Sequence, residues 1–172
     1  MRCSIAKFLI PFALFAAIGV AADTNSLGRQ VRHELVMLPY YSVFDNFTYQ
    51  VDGSTVVLAG QVTRPTLKSG AERVVERVEG VGKVVNKIEV LPLSSSDDQI
   101  RWQVFRAIYQ DSALSRYAWQ AVPPIHIVVR NGHVTLEGVV NASMEKAVAN
   151  AQANAVAGVF SVVNNLRVES RG

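Results

Sequence analysis

Residues 51–62, VDGSTVVLAGQV, and residues 129–140, VRNGHVTLEGVV, carry one apolar frame twice, 78 positions apart. Val56, Leu58, Gly60 and Val62 match Val134, Leu136, Gly138 and Val140. The match continues without a gap over 51–90 and 129–168. It takes in Val78, Gly80, Val81, Val84, Val85, Asn86 and Val90 and their counterparts Val156, Gly158, Val159, Val162, Val163, Asn164 and Val168. Of the 40 pairs, 14 are identical, far more than two arbitrary segments share. The chain is a duplication, and its fold needs deriving only once.

Each copy contains a hairpin. Phe47, Tyr49 and Val51 alternate up to Gly53-Ser54, and Val56 and Leu58 alternate after it. Ile125, Ile127 and Val129 lead to Asn131-Gly132, followed by Val134 and Leu136. Gly-X suits a type II′ turn and Asn-Gly a type I′ turn, the two-residue loops that match strand twist. Folding there sets Tyr49 opposite Leu58 and Ile127 opposite Leu136 on one face, with the same parity in both copies. Gly60 and Gly138 fall on that inward parity, and close packing of the following helix is the expected reason for glycine there.

Beyond the hairpin, Leu67, Ala71, Val74, Val75 and Val78 recur at helical spacing, and Gly80 is placed to end the helix. Alignment with this stretch and the helix propensity of alanine assign 147–157 to a helix as well. Final strands are expected at Val84–Val90 and Val162–Val168, with Asn86 and Asn164 turned inward and hydrogen-bonded for structural reasons. Upstream, Leu27, Val31, Leu35 and Leu38 form one helix face, with Asn25 or Ser26 as its cap. The matching helix carries Ile100, Val104, Ala107 and Ile108 and is expected to open at Asp97 or Asp98. Helices match at an offset of 73 and hairpins at 78, so five extra residues lie in the second connection, within 111–124. The fold class is α+β: two tandem αββαβ units, each a small three-stranded mixed sheet with two helices on one face.

Arg2 and Lys7 precede the apolar run Phe8–Val20, and small residues close it before Asp23. These are the parts of a secretory signal peptide over 1–22, cleaved after Ala22. The expected organisation is then a first unit at 23–92, a linker at 93–98 around the serine run, and a second unit at 99–170. The whole chain has 17 basic and 14 acidic side chains, a net of +3. Without Arg2 and Lys7 the net falls to +1, which leaves no electrostatic footprint for nucleic acid. The single cysteine, Cys3, leaves with the leader, so thiol chemistry and disulfides are not expected in an exported, periplasmic form.

An apolar hairpin with Val-x-Leu-x-Gly-x-Val, a helix, then Gly-Val-x-x-Val-x-Asn-x-Leu/Ile-x-Val resembles the BON domain. Here it stands as Val56–Val62 with Gly80–Val90, and as Val134–Val140 with Gly158–Val168. Gly60, Gly80, Asn86, Gly138, Gly158 and Asn164 are its structural positions. The resemblance implies a non-catalytic envelope protein that binds phospholipid surfaces and supports envelope integrity, osmotic stress protection or chaperone-like shielding of other proteins. It also implies a lipid-facing role for the second copy's first helix, near whose start Gln99 stands, with Trp102 one turn further in.

The residues themselves offer little for catalysis. His126 faces Glu137 across the second hairpin as a cross-strand pair on the outer face of the sheet. His33 and His133 lie apart from it, so no catalytic set, metal site or cofactor is expected, nor is any small-molecule substrate identified. The best functional candidates are aromatic. With Ile100, Val104, Ala107 and Ile108 toward the sheet, Trp102 and Tyr109 point the opposite way, Phe105 sits at the border, and Arg101 and Arg106 flank them. The insertion adds Tyr117 and Trp119. Aromatic rings beside arginines suit an anionic phospholipid surface or an envelope protein partner, unless the insertion or the first copy covers them.

Overall fold

The computed structural model describes residues 24–169. The proposed leader and its cleavage point lie outside the described residues. The first unit runs α1 (Thr24–Val36), β1 (Asn46–Asp52), β2 (Thr55–Val62), α2 (Pro65–Val75), β3 (Lys83–Asn86) and β4 (Glu89–Val90). The second repeats it as α3 (Ser95–Tyr109), β5 (Ile125–Arg130), β6 (His133–Val140), α4 (Ser143–Asn154), β7 (Ser161–Asn164) and β8 (Arg167–Val168). A 3-10 turn, Ser115–Trp119, occupies the insertion.

Both hairpins have the expected register. Tyr49 pairs with Leu58 and Ile127 with Leu136. Gly53 alone has positive φ in the first turn, whereas Asn131 and Gly132 both do in the second, as the type II′ and I′ turns require. The third strand runs parallel to the central one in each unit, but it is broken in two where a single strand was expected. The break has a cause in the asparagine. Asn86 Oδ1 accepts the Ile88 N–H at 3.1 Å, and Asn164 Oδ1 accepts the Leu166 N–H at 3.2 Å. Each Nδ2 donates to a helix carbonyl, Lys68 O at 3.0 Å or Lys146 O at 2.8 Å. The kink turns Ile88 and Leu166 into the core, where both are buried.

Two helices cover one face of each sheet. The first core joins Leu27, Val31 and Leu35 of α1 to Val56, Leu58 and Val62 of β2 and Leu67, Ala71 and Val75 of α2. The second joins Ile100, Val104 and Ile108 to Ile125, Ile127, Leu136 and Val140, and to Ala149 and Ala153. Each fully buried Leu or Ile contributes roughly 1.5–3 kcal/mol of transfer free energy. Several boundaries depart from expectation. Asn25 and Ser26 fall inside α1, and α2 ends at Val75, five residues before Gly80. Ser94, not Asp97 or Asp98, caps α3 by accepting the Asp97 N–H at 3.2 Å, so most of the expected linker is helix.

The glycines of the central strands also have a different cause from the one expected. At Gly60, with φ +114°, an added Cβ would lie 2.0 Å from Asn46 O; at Gly138, with φ +122°, it would lie 1.9 Å from Pro124 O. The obstacle is the backbone of the neighbouring strand rather than a helix. Gly138→Ala should therefore destabilise the protein by about 2 kcal/mol or more, seen as a lowered thermal midpoint by circular dichroism. An unchanged midpoint would refute this account of the glycine.

Candidate functional site

The two units meet through the connection that follows α1. Asp45, fully buried, accepts from Ser42 N (3.0 Å), Ser42 Oγ (2.7 Å), Thr63 N (2.7 Å) and Thr63 Oγ1 (2.8 Å). So fixed, the connection places Val43 in the second unit's core and its carbonyl 2.8 Å from Ile127 N. Phe44 packs edge-on against Trp102 at 5.0 Å and Phe105 at 6.1 Å. Tyr41 stacks on His126 at 5.7 Å, and Arg130 is paired with Glu89.

Between the units this leaves an open groove of about 660 Å³, lined among others by Tyr40, Phe44, Arg64, Leu93, Trp102 and Phe105. Tyr40 is 71% exposed, Leu93 97% and Trp102 56%. The Arg64 guanidinium lies over the Tyr40 ring, 5.0 Å from its centre. Arg106 is exposed one turn beyond Trp102 on α3, and residues four apart share a helix face. Aromatic edges, aliphatic surface and the Arg64 side chain therefore converge on one rim, and Arg106 shares the outer face of α3 with Trp102.

Not every predicted residue belongs to that rim. Trp102, Phe105 and Arg101 line it, whereas Arg106 is exposed on α3 outside the lining and Trp119, 90% exposed, projects from the insertion. Three of the predicted residues are buried, contrary to their expected outward placement. Arg101 donates to Val129 O at 2.7 Å and pairs with Asp98, with its Nε left without a partner. Tyr109 donates to Ile125 O at 2.7 Å and accepts from Ile125 N at 3.1 Å. Tyr117 donates to Glu145 at 2.7 Å. Burial of the Tyr109 ring pushes its hydroxyl pKa up, so it is a neutral donor at physiological pH. Tyr40, Phe44, Arg64 and Leu93 escaped notice in the sequence. The only signal was bulky side chains in connections, where exposed apolar residues have no structural need to be.

Glu145 anchors the insertion. Burial disfavours its carboxylate, but the Tyr117 hydroxyl, the Asn141 and Ala142 N–H groups and Arg116 outweigh that and hold its pKa below the ordinary value. Asp97 is likewise structural, accepting from Asn131 N at 2.8 Å and Gly132 N at 2.9 Å at the hairpin turn. No group of three or more His, Cys, Asp and Glu side chains that could hold a metal ion occurs among the described residues. No helix among them is long and apolar enough to cross a membrane.

The sequence profile of the BON domain matches residues 23–92 and again residues 96–170. The chain belongs to the BON domain family. BON domains are known in envelope and periplasmic proteins and are generally non-catalytic. No curated protein matches the chain. Two solved structures of CdsD, a structural protein of the type III secretion system of Chlamydia trachomatis, resemble it. The C-terminal domain is 13% identical over 86% of this chain and 99% of that one, with a TM-score of 0.30. The other is 16% identical over 84% and 94%, with the same TM-score. A likeness of that size carries no argument about function.

His126 is half-buried at the inter-unit contact. It pairs with Glu137 as expected, yet it lies under the first unit rather than on an open surface. Its Nε2 is 3.5 Å from the Tyr41 hydroxyl and its buried Nδ1 lacks a partner. Burial lowers its pKa below 6.5, outweighing the opposite pull of Asp45 and Glu137. A histidine kept neutral when folded gives its full contribution above the unfolded pKa, and that contribution falls away as pH drops below it. Stability should decline as pH falls below about 6.5, and His126→Asn should remove that component. Denaturant titrations of both proteins at pH 7.5 and 5.5 measure it; equal losses in both would exclude His126 as the cause.

Proposed function

We propose that this BON domain protein is a non-catalytic, exported envelope protein that docks on phospholipid membrane surfaces through the Trp102 rim, supporting envelope integrity or osmotic stress protection. The observation that carries this is the exposure of Trp102, Tyr40 and Leu93 on one groove lined by Arg64, with Arg106 exposed one helical turn along α3 from Trp102. Indole and phenol rings sit at headgroup level, and arginines there meet anionic lipid. The perturbed titratable groups Glu145 and His126 are engaged in holding the fold, which agrees with a binding role.

One observation favours a second reading. The rim surrounds a concave groove, a shape that also accepts an extended apolar segment of another envelope protein, as a chaperone-like module would. The two readings separate on lipid dependence. Trp102→Ala and Arg106→Glu should each weaken binding to phosphatidylglycerol-containing vesicles by about fivefold, the scale of one rim contact or one cation near an anionic surface. Added salt should weaken it further. In a Trp119→Phe background, Trp102 is the only tryptophan beyond the leader, and its fluorescence should shift to the blue on those vesicles but not on purely phosphatidylcholine ones. Unchanged binding in both variants removes this rim. Suppression of client aggregation without lipid would favour the second reading.

A further inference from the structure

The two copies finish their sheets differently. In β5, Ile125, Ile127 and Val129 turn their N–H and C=O groups away from β6, because Thr135 and Glu137 face β5 while Leu136 faces the other way, where its carbonyl accepts Asn165 N. That edge is closed by three devices: the Tyr109 hydroxyl on Ile125, the Val43 carbonyl on Ile127 N, and the Arg101 guanidinium on Val129 O. Unpaired strand edges invite further strands, and proteins normally blunt them.

β1 has the same geometry without the closures. Leu58 O and Val62 O accept from Lys87 N and Leu91 N on the far side of β2. Thr55, Val57, Ala59 and Gln61 therefore bond β1, and Phe47, Tyr49 and Val51 turn their backbone groups outward. At the helix offset of 73, Gly28 stands where Arg101 does and Val36 where Tyr109 does, and neither side chain can bond a strand. Among the described residues no side chain or connection closes this edge. β5 lies near β1 but gives its Ile127 N–H to Val43, ahead of the strand.

We propose that the free edge of β1 pairs antiparallel with β1 of a second copy of this chain, centred on Tyr49. In that register Tyr49 meets Tyr49, Phe47 meets Val51, Thr48 meets Gln50 and Asn46 meets Asp52, so all three outward-turned residues gain a backbone partner. The pattern is its own mirror about a two-fold axis, as an isologous dimer requires. Charge supports the second copy as occupant. Asp52 is the only charged side chain of Asn46–Asp52, and it falls opposite a neutral asparagine. No lysine guards the edge, and its single charge, Asp52, meets no like charge in this register.

Thr48 and Gln50 are exposed and point away from the core, so they can be changed without disturbing the fold. Sedimentation equilibrium of the protein purified after expression of the full chain should show a dimer that dissociates on dilution. Thr48→Lys with Gln50→Lys sets lysines opposite one another twice and should raise the dissociation constant about tenfold or more. Thr48→Glu with Gln50→Lys sets opposite charges there and should restore association, with circular dichroism unchanged in both variants. Tyr49 and Val51 amides should exchange more slowly as concentration rises. A monomer at every concentration, a dimer indifferent to the lysine pair, or an edge that takes up only strands of other proteins would each overturn the proposal.

Discussion

The carboxylate of Asp45, buried and accepting four hydrogen bonds from Ser42 and Thr63, fixes the one piece of chain that belongs to both units. A buried charge persists only where its acceptor capacity is filled, so this corner admits one conformation. Apart from the Glu89–Arg130 ion pair, the contacts described at the junction involve this corner. Val43 enters the second core and its carbonyl meets Ile127 N. Phe44 then reaches the aromatic side chains of α3, and Tyr41 covers His126. The groove is the space left between the corner, the segment Leu91–Leu93 and α3. Removing one acceptor oxygen would loosen both the interface and the rim.

The duplication shows how one framework supports different roles. The positions shared by both copies, such as Leu58 and Leu136 or Asn86 and Asn164, fill the core or shape the broken third strand. The differences concentrate on what surrounds that framework. In the second copy an arginine and a tyrosine of α3 reach the strand edge, and the insertion is tied to α4 through Tyr117, Arg116 and Glu145. In the first copy the corresponding helix carries Gly28, close to the Tyr49 ring.

Much of the fold was legible in the sequence because its determinants are local. Alternation of Phe47, Tyr49 and Val51 about a two-residue turn settles both strand pairing and face, and repetition at 78 residues confirms it. The candidate site was only partly legible. A helical wheel assigns direction from Cα alone, but the long side chains of Arg101 and Tyr109 bend back to polar partners at Val129 and Ile125, as amphipathic side chains do. Tyr40, Phe44 and Arg64 join Trp102 through tertiary contact, and no periodicity within one segment encodes that. Gly60 and Gly138 were located correctly, but their reason lies in the backbone of the strand opposite, which spacing does not reveal.

Val43 has a consequence for how the chain reaches its native state. It lies far ahead in sequence of the residues it joins, Ile100 to Leu166, so a ribosome delivers it long before its surroundings exist. The first unit can complete its own core from Leu27 to Ile88 while Val43 and Phe44 remain uncovered. Only when the second hairpin has been synthesised does that corner acquire a seat. The late folding half is thus built on the early one, which serves it as a template, and the order of synthesis coincides with the order in which the burial can occur.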